Sequence, residues 1–125
     1  MIQEKIKSLE ELAQIISDLK KQGKRIIYCH GYFDLTHYGH SLHFLDAKKQ
    51  GDVLIVTVIP DEFRDKDKDR LFFNQDTRLK QLSCLEPIDY VALNKWPTAV
   101  EAIKVLKPDV YVREKEIEME DVEDI

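Results

Sequence analysis

The four histidines of this chain, His30, His37, His40 and His43, fall within one stretch of fourteen residues. Three of them belong to the string His30-Gly31-Tyr32-Phe33-Asp34-Leu35-Thr36-His37-Tyr38-Gly39-His40. Imidazole donates hydrogen bonds, moves protons near neutral pH, or ligates metal. His37 and His40 are separated by two residues, one of them Gly39. Both rings would therefore lie beside exposed backbone N–H groups if a helix starts there, and such a start favours an anion. Charge-assisted bonds from imidazole to phosphate oxygens are about twice as strong as neutral ones. The rival use is a metal. His40 and His43, three apart, could share a helix face. No Cys lies at ligand spacing, however, and the only close acid is Asp34, so no metal site is expected. His30, ending a strand, and His43, a helical turn past His40, are read as structural.

The elements on either side support the anion reading. An apolar run, Arg25-Ile26-Ile27-Tyr28-Cys29, precedes the string, and a helix from about Tyr38 to Gln50 follows it. Leu42, Leu45 and Ala47 are its expected buried side, and Gly51 its stop. Ahead of the strand, Ser8-Leu9-Glu10-Glu11 forms a capping box. Leu9, Leu12, Ile15, Ile16 and Leu19 then follow at helical spacing, and Gly23 ends that helix. Val53 to Ile59 is a continuous apolar run, which suits a strand covered on both faces. Asn74-Gln75-Asp76-Thr77 starts a further helix, which Leu79, Leu82 and Leu85 continue to Pro87. Residues 89–93 read as a strand. Pro97 is expected in the first turn of the next helix, with Val100, Ile103, Val105 and Leu106 apolar and Pro108 as the stop. Residues 109–112 form the last strand. Trp96, before Pro97, reads as a packing residue. This order predicts a Rossmann-like α/β fold, a parallel sheet with helices on both faces and an N-terminal leading helix. The whole chain, 1–125, is expected to be one domain.

Composition narrows the partners. The net charge of −5 comes from the tail: residues 114–125 hold seven acids and one Lys, so the remainder carries +1. That tail reads as a frayed end or the start of something cut short. A near-neutral body suits small phosphorylated ligands and lacks the basic excess a nucleic-acid binder needs. No apolar run approaches the roughly 20 residues of a membrane span, and Met1-Ile2-Gln3-Glu4-Lys5 has no signal-peptide core. The cytoplasm is the default expectation. Cys29 and Cys84, both among apolar residues, are read as buried small hydrophobes. A dinucleotide oxidoreductase is disfavoured, because no Gly-x-Gly-x-x-Gly follows the first strand.

The string Gly31-x-Phe33-Asp34-x-x-His37-x-Gly39-His40 resembles the signature of the cytidylyltransferase-like nucleotidyltransferases. The likeness is nearest to the nucleotidyltransferase half of bifunctional ADP-heptose synthases, where a helix of the Ser8–Leu12 type also leads into the signature. The resemblance implies transfer of a nucleoside monophosphate from ATP, or CTP, to a phosphorylated sugar or polyol, with release of pyrophosphate and with Mg²⁺ assisting. It places His37 and His40 on the phosphates and Gly31, Tyr32 and Phe33 along the nucleotide through their backbone, while Asp34 braces the turn. Aligning a mobile basic loop assigns Lys66 as catalytic and Arg70 as nucleotide-binding. Arg78 and Arg113 match further nucleotide-binding positions, and Lys95 is a weaker candidate at the sheet edge. A homodimer is implied. The family's loop has Gly where this chain has Asp67 and Pro where it has Leu71, and its C-terminal Ser/Thr-rich segment has no counterpart before Ile125. These departures motivate an alternative, a phosphate-binding module without turnover. A His-cluster metal protein is the other alternative.

Overall fold

A computed structural model describes residues 2–64 and 72–113. The Ser8 capping box forms as the sequence predicts. Glu11 N–H donates to Ser8 Oγ at 3.1 Å, and Ser8 N–H donates to Glu11 Oε1 at 3.0 Å. Helix α1 (Leu9–Lys21) buries Leu9, Leu12 and Ile16 and stops before Gly23, whose φ of +82° is left-handed. The remaining helices are α2 (Tyr38–Lys48), α3 (Gln75–Ser83) and α4 (Val100–Leu106). Asn74 caps α3 by accepting from Thr77 N–H at 2.9 Å.

The strands are β1 (Ile6–Lys7), β2 (Ile26–Gly31), β3 (Val53–Val58), β4 (Tyr90–Leu93) and β5 (Val110–Tyr111). They form one parallel sheet in the order β1-β4-β3-β2-β5. Alternate residues of β2 enter different cores. Ile27 and Cys29 join Phe44 and Ala47 of α2 and Leu79 and Leu82 of α3. Ile26 and Tyr28 join Leu12 and Ile16 of α1 and Ala102 and Leu106 of α4. All six residues of β3 are buried, as the unbroken apolar run implies. The chain leaves β2 toward β3 on one side, while β5 pairs with its other edge. The loop after β2 therefore opens at the crevice where strand order reverses, the usual ligand position in such sheets.

Several details differ from the sequence expectation. Strand β1 carries no sequence signal, because two residues show no periodicity. Helix α2 buries Phe44 and Ala47, whereas Leu42 and Leu45 are exposed. Gly51 does not stop α2. Its backbone runs so close to β2 that a Cβ there would lie 2.7 Å from the Ile27 side chain. Helix α4 starts at Val100, leaving Pro97 outside it. The cause is Asn94, whose Nδ2 donates to Trp96 O at 2.7 Å and Thr98 O at 2.9 Å and holds that stretch as a turn. Trp96 packs, half-buried, against the core beneath α1 and α4. Cys84, just past α3, is exposed rather than buried. Among the described residues no helix is long and apolar enough to cross a membrane.

Candidate functional site

His37 is the N-cap of α2, and its ring is part of the cap. Gly39 N–H donates to His37 Nδ1 at 3.0 Å, and His37 N–H donates to His40 Nδ1 at 3.3 Å. A backbone N–H can only donate, so each Nδ1 is an unprotonated acceptor. The proton of each neutral ring then sits on Nε2. The two ring centroids are 4.2 Å apart. This reciprocal cap turns a helix start into two oriented imidazole donors at the positive end of a helix dipole. Phe33 seats His40 from below, its ring edge-on with centroids 6.0 Å apart and its side chain buried. Phe33 holds that place with a left-handed φ of 52°, a conformation costing a non-glycine residue roughly 1 kcal/mol. Burial of the ring offsets the strain.

Three further residues fix the turn to its surroundings. Asp34 accepts from Phe72 N–H at 2.6 Å and Phe73 N–H at 2.9 Å. Arg78 is fully buried, and its guanidinium reaches Phe73 O at 3.2 Å, Tyr32 O at 2.9 Å and Asp61 Oδ1 at 2.6 Å. Asp61, just past β3, also accepts from Gln75 N–H at 3.0 Å. Burial works against the charged form of Asp61, but Gln75 and Arg78 outweigh it and hold the carboxyl below its ordinary value. Arg78 thus departs from the sequence expectation of a nucleotide contact. In this structure all its donor nitrogens face protein oxygens, and it joins the turn, the exit of β3 and the start of α3.

A third histidine sits at the same strand ends. His30 Nδ1 lies 2.8 Å from Thr57 Oγ1, which is also hydrogen-bonded to the Tyr28 hydroxyl. His30 Nε2 faces Pro97 O at 3.5 Å. Burial of the ring lowers its pKa below the ordinary 6.5, outweighing the contacts with Pro97 and Thr57. The ring is therefore neutral, with its proton on Nε2 toward the carbonyl. Thr57 must then donate to Nδ1, and Tyr28 to Thr57. The folded protein binds this proton less readily than the unfolded chain, so stability is complete above pH 6.5 and declines as the pH falls below it. Thermal melts should show a lower Tm at pH 5.5 than at pH 7.5, and His30→Phe should flatten that difference. Identical slopes for the two proteins would refute the assignment.

The Cytidylyltransferase-like family matches residues 28–125, which include the whole turn and its supports. The chain belongs to the cytidylyltransferase-like family. It is 43% identical over 113 residues to the Bifunctional protein HldE of a Nitratiruptor species, covering 89% of this chain and 24% of that protein. It is 37% identical over 119 residues to the Bifunctional protein HldE of Aliarcobacter butzleri, covering 94% and 25%. The chain thus spans about a quarter of the length of these relatives. A crystal structure of the lipopolysaccharide core biosynthesis protein from Thermoplasma volcanium has the same fold, with a TM-score of 0.68 at 24% identity. The match covers 82% of this chain and 85% of that one.

In this cytidylyltransferase-like chain the structure gathers Gly31, Tyr32, Phe33, His37 and His40 around one turn. Arg113 lies exposed past β5, across the crevice from that turn. Lys66 and Arg70 lie outside the described residues. Lys95 pairs with Glu10 of α1. His43 packs its ring against Phe44. Among the described residues no group of three His, Cys, Asp or Glu side chains is placed to hold a metal ion. Sequence reasoning missed Asn94, which is buried. Its only sequence signal is a polar residue directly after an apolar strand.

Proposed function

We propose that this domain transfers a nucleoside monophosphate from ATP or CTP to a phosphorylated sugar or polyol and releases pyrophosphate. The observation that carries the reading is the reciprocal cap, which presents two Nε2–H donors at the start of α2. In the reaction an acceptor phosphate oxygen attacks the α-phosphorus, a P–O bond forms, and the bond to pyrophosphate breaks. Positioning and charge stabilisation carry such a step, and no protein nucleophile is needed. His37 and His40 would donate to the phosphate oxygens as charge builds there. The backbone at Gly31, Tyr32 and Phe33 would run along the nucleotide, with Arg70 and Arg113 as further anion contacts. Lys66 would neutralise phosphate charge as its loop closes. Arg78 acts in this reading through Tyr32 and Asp61, as a positioning residue.

Mg²⁺ favours carboxylate and phosphate oxygens. Asp34, the one acid of the turn, already accepts two backbone N–H groups. The turn therefore supplies no protein cage, and the ion would enter as the triphosphate's own counter-ion. ATP is favoured over CTP by the resemblance to the ADP-heptose synthases. A homodimer belongs to the same reading. Exposed Tyr38, Leu42 and Leu45 on α2 offer it an apolar stripe, and a single-chain mass in sedimentation would count against it.

The test is pyrophosphate release with ATP or CTP, Mg²⁺ and a panel of sugar 1-phosphates. Release that requires both nucleotide and acceptor is the expected result. Isothermal titration showing that neither nucleotide binds would remove the proposal. Binding without release would reduce the domain to a nucleotide-binding module.

A further inference from the structure

His30 is absent from the reading above, yet its surroundings are built like those of a ligand contact. It is the next-to-last residue of β2, directly before Gly31, so it sits at the strand ends beside the proposed phosphate site. Its inner nitrogen is held by a buried chain, Tyr28 to Thr57 to His30, which fixes both ring orientation and tautomer. Its outer nitrogen is only loosely engaged, at 3.5 Å from Pro97 O. That is the outer limit for such a bond. The loop itself presents Pro97 O. Asn94 takes the carbonyls on either side, Trp96 O and Thr98 O, and leaves the middle one facing the imidazole. The amide of Asn94 cannot be turned over, because its two neighbours are both acceptors. Its Oδ1 is consequently buried with no hydrogen-bond partner among the described residues.

The polar groups at this spot have a recognisable complement. The imidazole offers one uncharged N–H donor, and Pro97 O offers an acceptor beside it. A phosphate would meet that carbonyl, with Trp96 O and Thr98 O nearby. A hydroxyl group both accepts and donates, so it can lie between His30 Nε2–H and Pro97 O and satisfy both. We propose that His30 is a specificity-determining residue that binds a hydroxyl of the sugar or polyol acceptor, with Thr57, Tyr28 and Asn94 as its positioning residues. The inference rests on the nucleotidyl-transfer reading for the identity of the ligand. The acceptor, rather than the ribose of the nucleotide, is assigned because the partners of the His30 ring, Thr57 on β3 and Pro97 in the loop after β4, lie on the β3–β4 side of β2, whereas Arg113 follows β5 on the other edge of β2.

Imidazole ¹H–¹⁵N spectra of the full chain test this and the parent reading separately. Titration with ATP or CTP and Mg²⁺ should move the Nε2 signals of His37 and His40. Later addition of glucose 1-phosphate, mannose 1-phosphate or glycerol 3-phosphate should move His30 Nε2 and leave its Nδ1 nearly still. A His30 Nε2 signal that none of these acceptors moves overturns the inference, even if His37 and His40 respond. A signal that moves fully with nucleotide alone assigns the hydroxyl to ribose and overturns it as well. If His30 responds to acceptor while His37 and His40 ignore nucleotide, the inference stands and the phosphate reading falls. In an active preparation, His30→Phe should raise the acceptor KM about ten-fold, the value of one neutral hydrogen bond. The nucleotide KM should stay within two-fold, roughly the scatter of such comparisons. An unchanged acceptor KM overturns the proposal.

Discussion

On the proposed function, turnover should fall about 100- to 1000-fold when either His37 or His40 loses its ring, the usual effect of removing one donor from a developing oxyanion. The cap geometry makes this result separable from a folding defect. His37→Ala removes both the Nε2–H donor and the acceptor for Gly39 N–H, so it should also cost about 1 kcal/mol of stability, as lost N-caps do. His37→Ser keeps a good cap and removes only the imidazole. It should melt close to the parent protein and still lose turnover by the same factor. His40→Ala should behave like His37→Ala, because His40 Nδ1 accepts from His37 N–H. The double variant should lose less than the product of the two factors, since both rings act on one charge. Single-turnover pyrophosphate release, run beside thermal melts, reads all four proteins. A His37→Ser protein with turnover within ten-fold of the parent would sink the role given to the rings, because ten-fold is well below the smallest effect expected of such a donor.

Arg78→Met should be the most destabilising single change in the site, at about 3 kcal/mol, or roughly 10 °C in Tm. The guanidinium is fully buried and meets Tyr32 O, Phe73 O and Asp61. Its removal takes a donor from each of two carbonyls and the hydrogen-bonded cation from a carboxylate. The expected figure sits at the low end for a broken buried pair, since the Asp61 side chain is 39% exposed and water can rehydrate it. Arg78→Lys should not rescue, because a single ammonium cannot replace a planar fork that reaches three oxygens. Denaturant melts give the answer. A loss under about 1 kcal/mol, the worth of one ordinary hydrogen bond, would mean that the three contacts are not held together in solution. The expected functional loss accompanies the stability loss, because the same side chain fixes the Tyr32 carbonyl in the turn.

The alternation of helix and strand, the capping box at Ser8, the cap at Asn74 and the buried run of β3 were all legible in the chain. Each is a local pattern. A cap needs only residues three apart, and a strand buried on both faces needs only an unbroken apolar run. The helix face of α2 was not legible. Tyr38, Leu42 and Leu45 compete with Phe44 and Ala47 around that helix, and both sets are apolar. The angle at which α2 packs on the sheet chooses between them, and that angle is set by the tertiary fold rather than by the helix's own sequence.

The candidate site divides along the same line. The residues Gly31 to His40 are contiguous, so their gathering around one turn could be read from spacing, but not that the two rings would accept from the His37 and Gly39 N–H groups and so form the cap themselves. Arg78 looked like another ligand-binding cation, since charge and position in the chain cannot distinguish a guanidinium facing solvent from one enclosed by carbonyl oxygens. His30, Thr57 and Asn94 are spread over sixty-five residues. They meet only because β2, β3 and β4 align in parallel register, with His30 opposite Thr57 and Asn94 N–H donating to Val58 O. Contacts within one turn are encoded by neighbours. Contacts between strand ends exist only once the sheet has brought distant residues side by side.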